Sequence, residues 1–323
     1  MTKQRILVCG ATGFVGRNMA EAFAGDSSCE LHAVFNKRLP FEDERIFWHK
    51  CDLTDVHQVE ALLQTVKPAK IIQAAATTSG AKDIVSTPQI HVTDNAVMNS
   101  YLFPAAVYNE VKHLVFFSCT VMYQSSDRPI AENDYDANRS VHPRYFGAAN
   151  TKLYLEKMCE FYSSLGDTKF TAIRHSNIYG PHDKFDLERS HFFGATITKV
   201  LEAKDCITVW GTGEEERDLL YVDDLVAFVA KVFAGQTKKY RMYHCGSGRA
   251  ESIRSVVEKI IKASGKSLSV NNDLMMPTIN TSFCLDCTRA EKELGWRPQI
   301  SLDDGIALTI EWWKENFRTA KKE

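Results

Sequence analysis

Three glycines recur at three-residue intervals near the start of the chain, in Cys9-Gly10-Ala11-Thr12-Gly13-Phe14-Val15-Gly16. An apolar run, Ile6–Cys9, stops at the first of them, as a buried strand does where it turns abruptly into a helix. Gly10 permits the tight turn, Gly13 lets backbone approach a pyrophosphate, and Gly16 lets the helix pack closely on a sheet. Free backbone N–H groups and the helix dipole then attract the anion. The expected chemistry is dinucleotide binding, with Thr12, Phe14 and Val15 in the same loop. A glycine-rich turn with no ligand is the bland alternative.

In open α/β sheets ligands sit beyond the carboxyl ends of the strands, so the residues just after each apolar run matter most. Asn36-Lys37-Arg38 follows the second run, where a site for NAD usually carries an acidic residue. Two cations there suit a 2′-phosphate, which favours NADP(H) over NAD(H), a solvated basic turn being the alternative. Asp52-Leu53 stands where a carboxylate can accept from an adenine amino group. Ala74, Ala75 and Ala76 offer a flat floor of small residues. Elsewhere the signals are weak. Cys284-x-x-Cys287 has no second pair or nearby histidines and reads as strand packing rather than zinc or redox chemistry. His32, His49, His57, His91, His113 and His244 lack metal-ligand spacing. His182, Asp183, Asp186, Glu188 and His191 crowd one loop, explained more simply by the polarity of the loop than by a cation. Glu214–Glu216 reads as a solvated turn.

The elements that must position these residues alternate. Ile6–Cys9, Leu31–Phe35, Ile46–His49, Lys70–Ala74, Leu114–Ser118 and Phe170–Ile173 read as strands. Phe14–Gly25, Asp55–Val66, Asn95–Val111 and Tyr145–Leu165 read as helices, with Thr54 and Asp55 capping the second. This rhythm predicts an α/β fold: a Rossmann-type, doubly wound parallel sheet covered on both faces. After Gly180-Pro181 the rhythm breaks. His182–His191 reads as a loop, then come a helix at Phe192–Lys204, a strand at Ile207–Trp210, helices at Ile253–Ser264 and Thr288–Leu294, and a solvated tail at Arg318–Glu323. At 323 residues one large or two closely joined domains are expected. A net charge of −2 leaves no footprint for nucleic acid or an anionic membrane. No apolar stretch reaches membrane length, no signal peptide precedes the first strand, and nine scattered cysteines suit reduced thiols, so a cytoplasmic protein is expected.

GATGFVG, Asp52-Leu53, the Ala74–Ala76 run, Asn95 and the Phe-Phe-Ser-Cys-Thr-Val-Met-Tyr123 segment together resemble the extended short-chain dehydrogenase/reductase family. So do Asn-Ile-Tyr-Gly-Pro181, Arg217-Asp-Leu-Leu-Tyr-Val-Asp-Asp224 and Glu-Leu-Gly-Trp-Arg-Pro298. The resemblance spans nearly the whole chain. It implies an enzyme of nucleotide-diphosphate sugars, with residues 1–178 and about 219–245 holding the cofactor. Residues 179–218 and 246–323 would form a smaller C-terminal α/β lobe for the sugar nucleotide. Tyr179–His191 is similar to a loop of the branch that epimerises and reduces GDP-4-keto-6-deoxymannose. That likeness places an epimerisation acid at His191, sugar and pyrophosphate contacts at Trp210 and Arg217, and a basic residue at Lys199. Asn95, Tyr145 and Asn177 fall among the implied ligand contacts. A homodimer through a four-helix interface, built from Asn95–Val111 and Tyr145–Leu165, is also implied.

Family enzymes use a Ser/Thr, a Tyr and a Lys, the last two on one helical face, where the ammonium lowers the phenol pKa. By that register Lys152 is in place, and the Ser/Thr position falls on Cys119, between Ser118 and Thr120. The residue four before Lys152 is Ala148, not tyrosine. Three readings stay open. The chain is an engineered variant of a parent with tyrosine there; or it draws its proton from Tyr145, His191 or an ordered water; or it binds cofactor without turnover, as a sensor or scaffold. The branch's second epimerisation acid, a cysteine, corresponds to Val121. Simple C4 keto reduction is therefore expected over double epimerisation. An epimerase that retains its cofactor is a further alternative. A dehydratase is disfavoured, because Thr120-Val121 supplies no acid–base pair.

Overall fold

The structure, a computed structural model, describes residues 3–77, 87–187, 190–276, 278–279 and 281–317. The expected tail Arg318–Glu323 and the loop residue Glu188 lie outside the described residues.

The first half alternates as the apolar pattern requires: β1 (Gln4–Cys9), α1 (Phe14–Ala24), β2 (Cys29–Phe35), β3 (Ile46–Lys50), α2 (Val56–Val66), β4 (Lys70–Gln73), α3 (Thr93–Tyr108), β5 (His113–Phe117), α4 (Phe146–Ser163) and β6 (Lys169–His175). Asp55 caps α2 by accepting from the His57 and Gln58 N–H groups. α3 stops at Tyr108, short of the expected Val111, whose N–H turns back to the Ala106 carbonyl. At the head of α4, Pro143–Tyr145 forms a separate 3-10 turn.

The second half follows as β7 (Asn177–Tyr179), α5 (Phe192–Glu202), β8 (Cys206–Trp210), β9 (Glu216–Tyr221), α6 (Val222–Gly235), β10 (Tyr240–Cys245), β11 (Ala250–Ser252), α7 (Ile253–Ser264), β12 (Ser269–Asp273), α8 (Thr288–Leu294) and α9 (Leu302–Trp312). Seven strands make one parallel sheet in the order β10-β6-β5-β4-β1-β2-β3. The order reverses between β1 and β4, which opens a crevice at their carboxyl ends. β10, not anticipated from sequence, hides its signal. It lies at the sheet edge, and Arg241 breaks its apolar run to pair with Glu293 on α8.

Alternate residues of β1 feed two cores. Ile6 and Val8 pack with Met19 of α1 and Phe228 of α6, while Leu7 packs with Leu63 of α2, Phe103 of α3 and Leu155 of α4. A third core gathers Tyr179, Phe193, Ile197, Ile207, Val256 and Ile310. It joins α5, α7 and α9 to two small sheets, β11-β9-β7 and β12-β8. No helix among the described residues is long and apolar enough to cross a membrane.

Candidate active site

The glycine loop is shaped by close approach. Gly10 has φ 73°, and a Cβ there would stand 2.6 Å from the Ala75 backbone. A Cβ on Gly16 would stand 2.1 Å from the Gly10 carbonyl oxygen, so α1 lies directly against the turn. Gly13 caps α1 with no side-chain bond, which leaves the first-turn N–H groups facing the crevice for an anion.

The adjoining strand ends converge there. Arg38 reaches across the loop and donates to the Thr12 carbonyl at 2.9 Å, while Lys37 is exposed beside it. Asp52 accepts from the Thr54 hydroxyl and N–H, and these bonds, with Asn36, hold its carboxyl below the usual range. Asn95 works differently from a direct ligand contact. Its amide bonds both the N–H and the carbonyl of Thr77 and the His91 carbonyl, which braces the end of the Ala74–Ala76 floor.

Deeper in, Lys152 of α4 donates from Nζ to the Phe117 carbonyl at 2.7 Å, and Nζ sits 4.7 Å from the centre of the Phe116 ring. Burial lowers its pKa, opposed by Cys119 and Glu156. Ala148 lies one turn earlier on the same helical face. Burial raises the Cys119 thiol and the Tyr145 phenol, so both carry their protons at neutral pH; Lys152 opposes the first shift and Arg217 the second. Thr120 is buried and Val121 half-buried. Ser118 is committed elsewhere, donating to Glu156 at 2.5 Å.

On the far side, His191 caps α5 through its backbone, and desolvation, then Lys184 and His91, lower its pKa. Lys199 lies 5.8 Å from the centre of the Trp210 ring and donates to the Thr208 carbonyl. Asn177 donates to the Asp218 carbonyl. Arg217 is the main departure from expectation. Nη1 donates to the Glu216 and Thr281 carbonyls and Nη2 to the Ile279 carbonyl, which leaves Nε without a partner among the described residues. The N–H groups not taken by these carbonyls, on Nε and Nη2, are the ones left to meet a pyrophosphate.

All of these expected site residues line one cleft of about 1370 Å³, running from Gly10 past Lys152 to Arg217. Two other residues that line it were not singled out from sequence as site residues. His175 ends β6 beside Lys152; its Nδ1 donates to the Ser176 carbonyl at 2.7 Å, and burial pushes its pKa down to about 4. The strand-end rule that selected Asn36 and Asp52 also selects His175. Asp183, named only within a possible cation cluster, has one carboxyl oxygen without a partner among the described residues, and burial raises its pKa to about 7. No group of three or more His, Cys, Asp or Glu among the described residues could hold a metal ion. All nine cysteines are free, and the Cys287 sulfur accepts from the Gly246 N–H.

The sequence model of the NAD dependent epimerase/dehydratase family matches residues 6–246. GDP-L-fucose synthase of Escherichia coli is 28% identical over 98% of this chain and 98% of its own. GDP-L-colitose synthase of Yersinia pseudotuberculosis is 28% identical over 96% of this chain and 97% of its own. The solved structure of UDP-glucose 4-epimerase from Thermotoga maritima superposes with a TM-score of 0.85 at 21% identity, covering 97% of this chain and 100% of that one.

Proposed function

The chain belongs to the NAD dependent epimerase/dehydratase family, whose relatives include nucleotide-sugar epimerases and reductases, and on that premise we propose that it is an NADPH-dependent reductase of a GDP-linked 4-keto sugar. The observation that carries this reading is the single cleft joining the glycine loop to Lys152 and Arg217. The cofactor half comprises residues 1–178 and about 219–245, and the sugar-nucleotide half 179–218 and 246–323.

Bound NADPH would supply the hydride to the C4 carbonyl. Lys152 orients the nicotinamide ribose, and Cys119 and Thr120 hydrogen-bond the sugar oxygen. His191 serves near C3 and C5, while Lys199, Trp210 and Arg217 hold the nucleotide end. Val121 offers no second acid, which favours reduction over double epimerisation. Ala148 withholds the phenol expected to protonate the new alkoxide, so turnover in this chain is slow. NADPH oxidation on adding GDP-4-keto-6-deoxymannose tests the reading, and a chain that binds neither NADPH nor NADH overturns it. The methyl at Ala148 favours one second reading, a cofactor-binding protein without turnover. That protein would bind NADPH tightly and no nucleotide sugar.

Lys37 and Arg38 carry the preference for NADPH in this reading. Replacing both by alanine is expected to weaken NADPH binding about 10- to 100-fold and leave NADH within about twofold, as for charge-assisted bonds to a phosphate. Isothermal calorimetry with the two cofactors reads this directly. Equal losses for both would move the 2′-phosphate elsewhere.

The reading includes a homodimer. Phe146, Tyr154 and Phe161 on one side of α4 are 65%, 53% and 58% exposed, and Tyr108 at the end of α3 is 83% exposed. A second copy laying its own α3 and α4 on this face would cover them. Tyr154→Glu with Phe161→Glu is expected to give monomers in sedimentation velocity from an unmodified chain that sediments as a dimer. An unmodified chain that sediments as a monomer counts against the interface.

A further inference from the structure

A buried polar chain runs beneath the cleft, connecting elements that the mechanism treats separately. Glu156 lies one helical turn beyond Lys152 on α4 and is 4% exposed. Its carboxylate accepts from the Ser118 hydroxyl at 2.5 Å, from Arg174 Nε at 2.8 Å and from Arg174 Nη2 at 2.5 Å. Arg174, on β6 and 3% exposed, donates from Nη1 to the Tyr123 hydroxyl at 2.6 Å. That hydroxyl is hydrogen-bonded in turn to His244 Nε2 on β10 at 2.7 Å.

The segment leaving β5 is therefore held at both ends. Phe117 is tied to Lys152 and Ser118 to Glu156, while Tyr123 is tied to Arg174. Cys119, Thr120 and Val121 lie between these anchors and line the cleft. A carboxylate suits the central place because it only accepts, and all three partners donate. A neutral amide of the same shape would turn an NH₂ group toward one of those donors.

We propose that Glu156 is a positioning residue: through Ser118 and Arg174 it sets the Cys119–Val121 segment against α4, and so fixes that segment relative to the Lys152 ammonium. The proposal rests on the functional reading in one respect, that Lys152 meets the nicotinamide side of the cofactor. It goes beyond that reading by assigning a role to a residue that touches no ligand.

The test compares two probes by calorimetry, NADPH and 2′,5′-ADP, which lacks the nicotinamide half. In Glu156→Gln, NADPH binding is expected to weaken about tenfold while 2′,5′-ADP binding stays within about twofold. Glu156→Asp, which restores an acceptor-only group, is expected to recover part of the loss. Ser118→Ala removes one bond without stranding a charge, and serves if Glu156→Gln does not fold. It should weaken NADPH alone by about threefold. Equal effects on both probes, or none on either, mean that Glu156 only supports the fold and overturn the proposal. An unmodified chain that binds neither probe overturns the functional reading, and this inference with it.

Discussion

Ala148→Tyr is expected to raise NADPH oxidation with a GDP-linked 4-keto sugar by about 10²- to 10⁴-fold, the range typical of a well-placed general acid. Position 148 lies on the face of α4 that carries Lys152, one turn nearer the helix start. A phenol there would project into the cleft beside a buried ammonium, which stabilises phenolate and so eases proton release to the alkoxide. The other groups needed around it already line the cleft. Two outcomes count against this account. If the unmodified chain is already as active, another donor operates, and Tyr145→Phe then distinguishes the other cleft-lining phenol from His191 or water. If both chains are inactive and bind no nucleotide sugar, the protein is a cofactor binder without turnover.

Glu156→Ala is expected to cost about 3–5 kcal/mol of folding stability, since it leaves Arg174 buried without its carboxylate. That is a large share of the ~5–15 kcal/mol by which domains are stable. Urea denaturation reads it as a lower midpoint with an unchanged slope. Replacing both partners together, as Glu156→Leu with Arg174→Met, should cost much less than the single change, because no charge is stranded. A single variant as stable as the unmodified chain would mean that water reaches Arg174 and the network is not dry. Stability and cofactor binding are separate readouts: the alanine variant measures the stranded charge, and the glutamine variant measures the position of Cys119–Val121.

The glycine-loop side of the cleft was readable from sequence because its geometry is local. The turn at Gly10, the close approach at Gly16 and the floor at Ala74–Ala76 each follow from residue size and backbone freedom at a strand end. Lys152 and the missing phenol at Ala148 were equally visible, since a helix converts a four-residue spacing into one shared face. His175 was within reach of the same rule. It lies two residues beyond the run read as ending at Ile173, in the strand that the structure extends to His175.

The remaining groups resisted because their partners are set by packing rather than by spacing along the chain. Nothing around Arg217 announces that its guanidinium meets the carbonyls of Ile279 and Thr281. Asn95 looked like a ligand contact, and only the fold shows its amide filled by the backbone of Thr77 and His91. The buried chain under the site joins Ser118 to Glu156 across 38 residues and Tyr123 to His244 across 121. By itself the sequence determined a parallel α/β sheet, a tight glycine-rich turn at the end of the first strand and a lysine-bearing helix with no tyrosine four residues before the lysine, because periodicity and glycine placement act over a few residues. Which polar groups point into the cleft and which are consumed in holding it was decided only by the tertiary structure. A buried donor or acceptor must find its partner wherever packing brings one, and sequence spacing carries no record of that.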